Sequence, residues 1–411
     1  MRSALDFVRD WGWQPPVSGE GVDEWDVIVV GAGPAGSIAA ASLARSGYRV
    51  LLLDGQKFPR DKTCGDALIP DSLKVLERSR LLPEILKHGN QFSVASVFSP
   101  SKIEVPIPGQ YVTLKRRVLD ALLARRAVAD GAAFRHGAVS AIVTEPDGSL
   151  SFVVNGRQRP FRARVGILAT GANVTLLEQT GMLERTAPSA IAMRCYITAA
   201  ERLDQLVVSY DRSIAPGYAW IFPVGEREYN VGCGIFYRRP QHRKVNLREM
   251  FQHFLEEFPL ARRLRDRMLK STPLIGAPLR CSLTGTRVAG RGALVAIGEA
   301  IGATFPFTGE GVGKAMETAE LAAKAIHAAF ATGNFELLRQ FPARLAAELR
   351  PRYRGYEIAE RWLSKPWVSD LIARRAARSE SLRRLISGIL NETVDPGSVF
   401  CLRGVLRALV G

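Results

Sequence analysis

Apolar and polar positions recur along the chain with two periods, one typical of helices and one typical of strands, and these periods predict its secondary structure. Residues 26–31 and 49–54 are short apolar runs typical of buried strands, and the Ala-rich segment between them has helical character. The same order of strand, glycine-containing loop and long helix returns at residues 292–330. This order predicts an α/β fold with a Rossmann-like domain, because parallel strands connected by helices need both periods.

Elsewhere the pattern differs. Residues 138–156 alternate around a Pro-Asp-Gly-Ser turn, which predicts a hairpin, and residues 71–86 predict one helical stretch. Residues 188–285 read mainly as strands and predict a second, mainly antiparallel sheet that binds substrate, with a helical region after it. The predicted division is an N-terminal arm at 1–23, a discontinuous cofactor domain at 24–90, 111–180 and 286–335, a sheet domain at 91–110 and 181–285, and a C-terminal helical region at 336–411.

The first strand–helix–strand unit contains a GxGxxG turn. Gly31 allows the tight turn, Gly33 lets the backbone approach a pyrophosphate, and Gly36 lets the helix pack closely on the strand. The anion then lies at a helix N-terminus, where backbone N–H groups and the helix dipole favour it. Asp54 ends the second strand, at the position from which a carboxylate can accept ribose hydroxyls. The unit is therefore predicted to bind a dinucleotide.

Charge and cysteine content limit the partners and the compartment. The net charge is +16, yet no nucleic-acid-binding motif is present, so an acidic carrier or partner protein or an anionic membrane surface is the expected partner rather than nucleic acid. The five cysteines lack CxxC spacing, and the histidines are dispersed, so neither a disulfide framework nor a metal site is expected. The N-terminus lacks signal-peptide features and no apolar run approaches about 20 residues. The expected location is the cytoplasm. A peripheral position at the inner membrane surface is the alternative that we also consider.

Five segments together resemble the geranylgeranyl reductase family of flavoproteins, within the class that also contains aromatic hydroxylases and flavin-dependent halogenases. They are GAGPAG at 31–36, KTCGDALIP at 62–70, RRVLD at 116–120, YAWIFP at 218–223 and IGEAIGATFPFTGEGV at 297–312. The resemblance implies FAD as the cofactor. The cofactor-binding residues that it implies, together with the GxGxxG unit, are Gly31, Gly33, Ala35, Gly36, Asp54, Arg116, Gly298, Glu299, Pro306, Gly309, Gly311 and Val312.

The resemblance also implies the catalytic candidates. Tyr218, Trp220 and Phe222 alternate along one strand and therefore share one face, which predicts an aromatic wall. In the family this wall lies over the flavin and lines an apolar substrate channel; an ordinary sheet core is the alternative interpretation. Cys64 corresponds to the family's cysteine beside the flavin, and nearby Lys62 would favour its thiolate.

The function implied is hydride transfer from reduced flavin to a carbon–carbon double bond of a hydrophobic, isoprenoid-like substrate, with Cys64 as a candidate proton donor. The alternatives are a monooxygenase that acts on an aromatic group of a natural product or of a carrier- or protein-bound substrate, and a flavin-binding interaction protein without turnover. Halogenation is disfavoured, because the halogenases' WxWxIP is YxWxFP here and their catalytic lysine has no clear counterpart. Two departures matter: Glu299 stands where the family usually has Asp, and Thr170-Gly171 stands where many members have Asp-Gly. The second leaves the electron donor, NAD(P)H or another, open.

Overall fold

The computed structural model describes residues 24–237 and 240–399, so the predicted N-terminal arm and the end of the C-terminal tail lie outside the described residues. In chain order the strands of the described part are β1 (Glu24–Val30), β2 (Val50–Asp54), β3 (Ala67–Leu68), β4 (Asn90–Phe98), β5 (Glu104–Thr113), β6 (Ala133–His136), β7 (Val139–Thr144), β8 (Leu150–Val154), β9 (Phe161–Leu168), β10 (Ala190–Ala199), β11 (Leu206–Ser209), β12 (Tyr218–Pro223), β13 (Glu228–Phe236), β14 (Met268–Ser271), β15 (Ile275–Leu279) and β16 (Leu294–Ala296). The α-helices are α1 (Pro34–Arg45), α2 (Pro70–Arg78), α3 (Leu82–His88), α4 (Arg116–Ala129), α5 (Thr175–Gln179), α6 (Leu247–Glu257), α7 (Pro259–Asp266), α8 (Val312–Thr332), α9 (Phe341–Leu363), α10 (Pro366–Arg378), α11 (Glu380–Leu390) and α12 (Pro396–Val399).

The first sheet has a parallel core, as the strand–helix–strand pattern predicts. Its order is β6-β2-β1-β9, with β16 pairing parallel to the end of β9 and the antiparallel hairpin β7–β8 joined to the start of β9. Val29 lies opposite Leu52 on one side and Ile167 on the other, and all three side chains are buried. Parallel strands covered on both faces need such continuous apolar runs, which is why the sequence pattern was readable here.

The second sheet confirms the predicted, mainly antiparallel sheet. Within the described ranges its nine strands follow the order β14-β10-β13-β12-β11-β4-β5-β3, with β15 also pairing to β10. Among the described pairs along this path, only β11–β4 is parallel. The face that carries Val231, Cys233 and Ile235 packs with Phe251 of α6 and Leu264 of α7 into one apolar core. The opposite face carries the aromatic wall.

The C-terminal helices contact both sheets. Leu345 and Tyr353 of α9 belong to the core of the first sheet, whereas Ala373 and Ala376 of α10 pack against Val105 of β5. No helix in the described ranges combines the length and the hydropathy needed to cross a bilayer.

The prediction of one helical stretch at residues 71–86 is wrong, because this segment is divided. It forms two helices, because α2 ends at Arg78 and Arg80 takes a positive φ of 58° before α3 begins. Pro83 lies in the first turn of α3, where its missing N–H is tolerated, and it could not have continued α2.

Candidate functional site

The glycine turn after β1 forms a cradle at the start of α1. Gly31 has a φ of +104°, and a Cβ at Gly36 would lie 1.8 Å from the carbonyl oxygen of Gly31. At Gly33 the nearest atoms to an added Cβ would instead be guanidinium nitrogens of Arg60 and Arg116, at 3.6 and 3.9 Å. Packing therefore requires the two outer glycines, whereas the space in front of Gly33 is open and faces two cations.

This open space suits a pyrophosphate. Helix α1 has no side-chain cap at its N-terminus, so the N–H groups of its first turn are available to an anion. The buried carboxylate of Asp120 holds both cations, with Arg116 Nε and Nη2 at 2.7 and 2.9 Å and Arg60 Nη1 at 2.9 Å. Arg116 is thus a buried, oriented arginine rather than a surface residue of α4.

Asp54 is fixed to the same turn. Its Oδ2 accepts the backbone N–H of Ala32 at 2.9 Å, and its Oδ1 accepts the N–H of Gln56 at 2.9 Å. A carboxylate has about four lone-pair positions, so acceptor capacity remains for ribose hydroxyls. The position of Asp54 therefore fits the adenosine end of FAD.

The second end of the cofactor site begins after β16. A Cβ at Gly298 would lie 2.8 Å from the Cβ of Ala35, so this turn packs tightly on α1. Glu299 pairs with Lys62 through Oε2 at 3.3 Å, and its Oε1 is buried without a hydrogen-bond partner among the described residues. The Gly171 backbone lies beside this pair, with Glu299 Oε2 at 3.8 Å from an added Cβ. An orphaned buried carboxylate oxygen fits a ligand that carries hydroxyl groups.

The loop before α8 lies against the aromatic wall. Gly309 has a φ of +73°, and a Cβ there would lie 2.6 Å from the Tyr218 hydroxyl. Pro306 is buried, Gly311 is the N-cap, and α8 begins at Val312 without a side-chain cap. This loop therefore presents free backbone N–H groups of a helix N-terminus near the wall, as an electron-rich flavin ring would need.

The wall itself is built from two adjacent strands. The centroid of Trp220 lies 5.7 Å from that of Tyr218 and 6.3 Å from that of Phe222. On β13, Gly234 pairs with Tyr218 and Gly232 pairs with Trp220, and a Cβ at Gly232 would lie 2.3 Å from Trp220 Cζ2. The rings lie across β13 because these glycines carry no side chains. The alternating glycines of YNVGCGIFY are the sequence signal for this arrangement, which was not predicted.

Further aromatic residues extend the wall. Tyr210 stacks on Phe307 of the loop at a centroid distance of 5.1 Å, and Phe236 stacks on Tyr218 at 5.7 Å. Neither Tyr210 nor Phe307 was predicted, because their proximity depends on how the loop meets the second sheet.

Asn230 connects the wall to the Cys64 turn. It is fully buried, and its Oδ1 accepts the indole N–H of Trp220 at 2.8 Å. Its Nδ2 donates to the carbonyl oxygen of Cys64 at 2.7 Å and to Oδ2 of Asp66 at 2.8 Å. One amide therefore fixes the orientation of Trp220 relative to the Cys64 turn.

Asp66 completes this network. It has a φ of +66° and accepts the Tyr196 hydroxyl at 2.7 Å and the backbone N–H of Arg116 at 3.0 Å. Burial raises the pKa of its carboxyl group above the ordinary value, although these hydrogen bonds favour the ionised form. Asp66 lies within the KTCGDALIP segment, but no role was predicted for it.

The cation beside Cys64 is not the one that we expected. Lys62 pairs with Glu299, whereas the guanidinium of Arg116 interacts electrostatically with the Cys64 thiol. The expectation for Lys62 was based on closeness in sequence, but Arg116 reaches the thiol from α4 through the tertiary fold.

A buried ionic cluster supports the loop from the first turn of α8. Lys314 is 1% exposed, and its Nζ lies 2.5 Å from Glu392, 2.8 Å from Glu317 and 3.6 Å from Asp71. Burial raises the pKa of Asp71 to about 6, even though the attraction of Lys314 opposes this shift. The cluster therefore contains a carboxyl group that titrates within an accessible pH range.

We expect Asp71→Asn to gain stability relative to the wild type as the pH rises from about 4, the ordinary value, to about 6. A raised pKa means that the native state binds the proton more tightly than the unfolded chain, so this stabilisation is lost as the pH rises through about 6. Asparagine cannot ionise and avoids the loss. Thermal midpoints measured across this range check the prediction, with Glu336→Gln on the surface as the control. A difference between Asp71→Asn and the wild type that is constant with pH would contradict it.

Comparison with known proteins agrees with this geometry. Residues 24–347 match the protein family described as FAD binding domain. The chain is 30% identical to menaquinone reductase of Mycolicibacterium smegmatis, over 90% of this chain and 92% of that protein. It is 32% identical to digeranylgeranylglycerophospholipid reductase of Methanocaldococcus jannaschii, over 74% of this chain and 78% of that protein.

A solved structure shares the fold. A geranylgeranyl bacteriochlorophyll reductase-like protein from Thermoplasma acidophilum aligns with a TM-score of 0.73 at 22% identity, over 95% of this chain and 96% of that chain. The family match and the cradle around Gly33 lead to the same conclusion about the cofactor, and the two relatives are reductases by name. The chain belongs to the FAD binding domain family, within the geranylgeranyl reductase group, and is an FAD-dependent oxidoreductase.

Proposed function

We propose that this protein reduces a carbon–carbon double bond in the isoprenoid chain of a lipid. The name of one relative specifies a digeranylgeranyl lipid, and that of another specifies menaquinone. These names support an apolar substrate for this chain, and the wall offers a surface that suits one.

The position of the wall between two segments is the main support for this proposal. At one end the Tyr218 hydroxyl meets Gly309, and at the other the Phe222 ring lies 3.1 Å from a Cβ added to Gly65, next to Cys64. The wall thus spans the loop before α8 and the Cys64 turn, which are the two segments expected at the flavin ring. An alkene lying on the half-buried rings of Tyr218 and Phe222 would be close to both segments.

FAD supplies a hydride to one alkene carbon when it is bound and reduced. The aromatic wall would orient the double bond and exclude water, and both contributions depend on position rather than on charge. The other alkene carbon needs a proton, for which the Sγ–H of Cys64 is our candidate donor. The product would gain two hydrogen atoms, solvent would return a proton to the Cys64 thiolate, and NAD(P)H or another donor would supply the two electrons for the next turnover.

The competing function is a monooxygenase, and labelled dioxygen separates the two. We expect the product formed from a polyprenyl lipid under isotopically labelled dioxygen to contain no label and to be two hydrogen atoms heavier. Label in the product would show that the protein transfers oxygen and would overturn the proposal.

Phe222→Ala is expected to leave FAD occupancy unchanged and to lower turnover of a polyprenyl substrate by roughly 10- to 100-fold. Phe222 is half-buried at the end of the wall, so its loss removes a surface that positions the alkene. Flavin absorbance gives the occupancy, and substrate-dependent reoxidation gives the rate. Val143→Ala, on the distant hairpin β7–β8, is the matched control. Normal turnover in Phe222→Ala would remove the wall from the mechanism.

A further inference from the structure

One edge of the second sheet exposes large apolar side chains. Leu269 is 68% exposed, Met268 is 44% exposed and Ile275 is 43% exposed. The first two lie on β14 and the third on β15, and both strands pair with β10, so all three belong to the same edge. Exposed apolar side chains that cluster on a strand edge mark an interaction surface or an aggregation hazard. We call this surface the β14–β15 edge.

Cations flank the β14–β15 edge. Arg262 of α7, Arg267 before β14 and Lys270 on β14 are all exposed. They lie within a few residues of the apolar side chains, on a chain whose net charge is +16. Apolar side chains surrounded by basic residues are typical of a protein surface that lies on an anionic bilayer, where the apolar groups enter the interface and the cations attract lipid headgroups.

The edge lies close to the aromatic wall. In the sheet, β10 is followed by β13 and then by β12, which carries Trp220. Neighbouring strands lie about 4.8 Å apart, so about 14 Å, three strand spacings, separates the edge strands β14 and β15 from β12. A lipid that leaves a bilayer at this edge would need to move only a short distance to reach the wall.

We propose that the β14–β15 edge is a docking surface for a membrane that contains anionic lipids. The partner is a bilayer rather than a second copy of this chain, because edge-to-edge pairing would bring Arg262, Arg267 and Lys270 of one copy towards the same cations of the other. Met268 and Leu269 are neighbours on β14, so their side chains project to opposite faces of the sheet. Strand pairing between two copies would therefore not bury them in one shared apolar layer. The proposal rests on the proposed function only in that an isoprenoid lipid would arrive from a membrane.

Vesicle sedimentation of the FAD-loaded protein tests the docking surface. We expect the wild type to bind vesicles of equal parts phosphatidylcholine and phosphatidylglycerol, and to bind phosphatidylcholine alone much more weakly. A double variant with Met268→Glu and Leu269→Glu is expected to lower the partition coefficient roughly 10- to 100-fold, because it removes two apolar groups and adds negative charge. Val143→Glu, which replaces an apolar side chain that is 49% exposed on β7, is the matched control and is expected to bind as the wild type does.

Each other outcome overturns the proposal. Absence of wild-type binding, or equal binding by the double variant, would show that the edge does not dock on lipid. A wild-type dimer in light scattering that the double variant converts to a monomer would identify the edge as an interface between copies. Because the vesicles contain no isoprenoid lipid, a negative result would leave the proposed reductase activity untouched, and loss of that activity would leave the binding result intact.

Discussion

Gly33→Val is expected to abolish FAD binding while the chain remains folded. Gly33 has a φ of −76° and a ψ of −172°, which valine can adopt, and an added Cβ makes only ordinary contacts in the structure. The valine side chain would, however, fill the space that the pyrophosphate needs at the start of α1. Flavin absorbance after reconstitution with excess FAD gives the occupancy, and the thermal midpoint without FAD should match that of the cofactor-free wild type.

Gly36→Val is the matched control, because it changes the same motif three residues later. Its Cβ would lie 1.8 Å from the carbonyl oxygen of Gly31, so this variant should be strongly destabilised or fail to fold. If Gly33→Val retained stoichiometric flavin, the turn would have a purpose other than binding the cofactor.

Trp220→Ala is expected to lower the free energy of unfolding of the cofactor-free protein by about 3–5 kcal/mol. The indole is only 5% exposed, lies over Gly232, and donates to Asn230. The substitution leaves a cavity and deprives a buried amide oxygen of its partner. Denaturant unfolding of the variant and of Trp220→Phe, which keeps most of the ring volume, measures the loss.

Trp220→Phe should lose clearly less stability than Trp220→Ala, since it removes the hydrogen bond but fills most of the space. Nearly equal stability of the wild type and Trp220→Ala would contradict the packing observed around the indole. Each of the two interpretations, substrate surface and sheet core, therefore applies to some of the residues of the wall. Trp220 is largely core, whereas Tyr218 and Phe222 are half-buried and meet the two segments expected at the flavin.

Local features of the site could be predicted because their chemistry is contained in short segments. The turn with Gly31, Gly33 and Gly36 and the carboxylate of Asp54 belong to one strand–helix–strand unit, whose apolar runs show where its strands lie. The alternation of Tyr218, Trp220 and Phe222 likewise fixes their common face without knowledge of any other strand.

Features that depend on distant partners could not be predicted. Asn230 joins Cys64 and Asp66, which lie more than 160 positions earlier in the chain, and no local pattern indicates that contact. The role of the β13 glycines can be recognised only once the register with β12 is known. A shift of one residue would pair them with β12 residues whose side chains lie on the other face of the sheet. The pairing of Lys62 with Glu299 is also a tertiary contact, which explains why closeness in sequence misled us about Cys64.

Anaerobic mixing of the reduced holoenzyme with a polyprenyl lipid shows whether the protein reduces an isoprenoid double bond. The protein is reduced with one equivalent of dithionite, mixed without oxygen, and followed by flavin absorbance and by mass spectrometry of the lipid. We expect the flavin to be reoxidised and each flavin to yield one lipid molecule that is two hydrogen atoms heavier. A flavin that stays reduced, with the lipid unchanged, in a protein shown to contain FAD and to bind the lipid, would contradict this expectation.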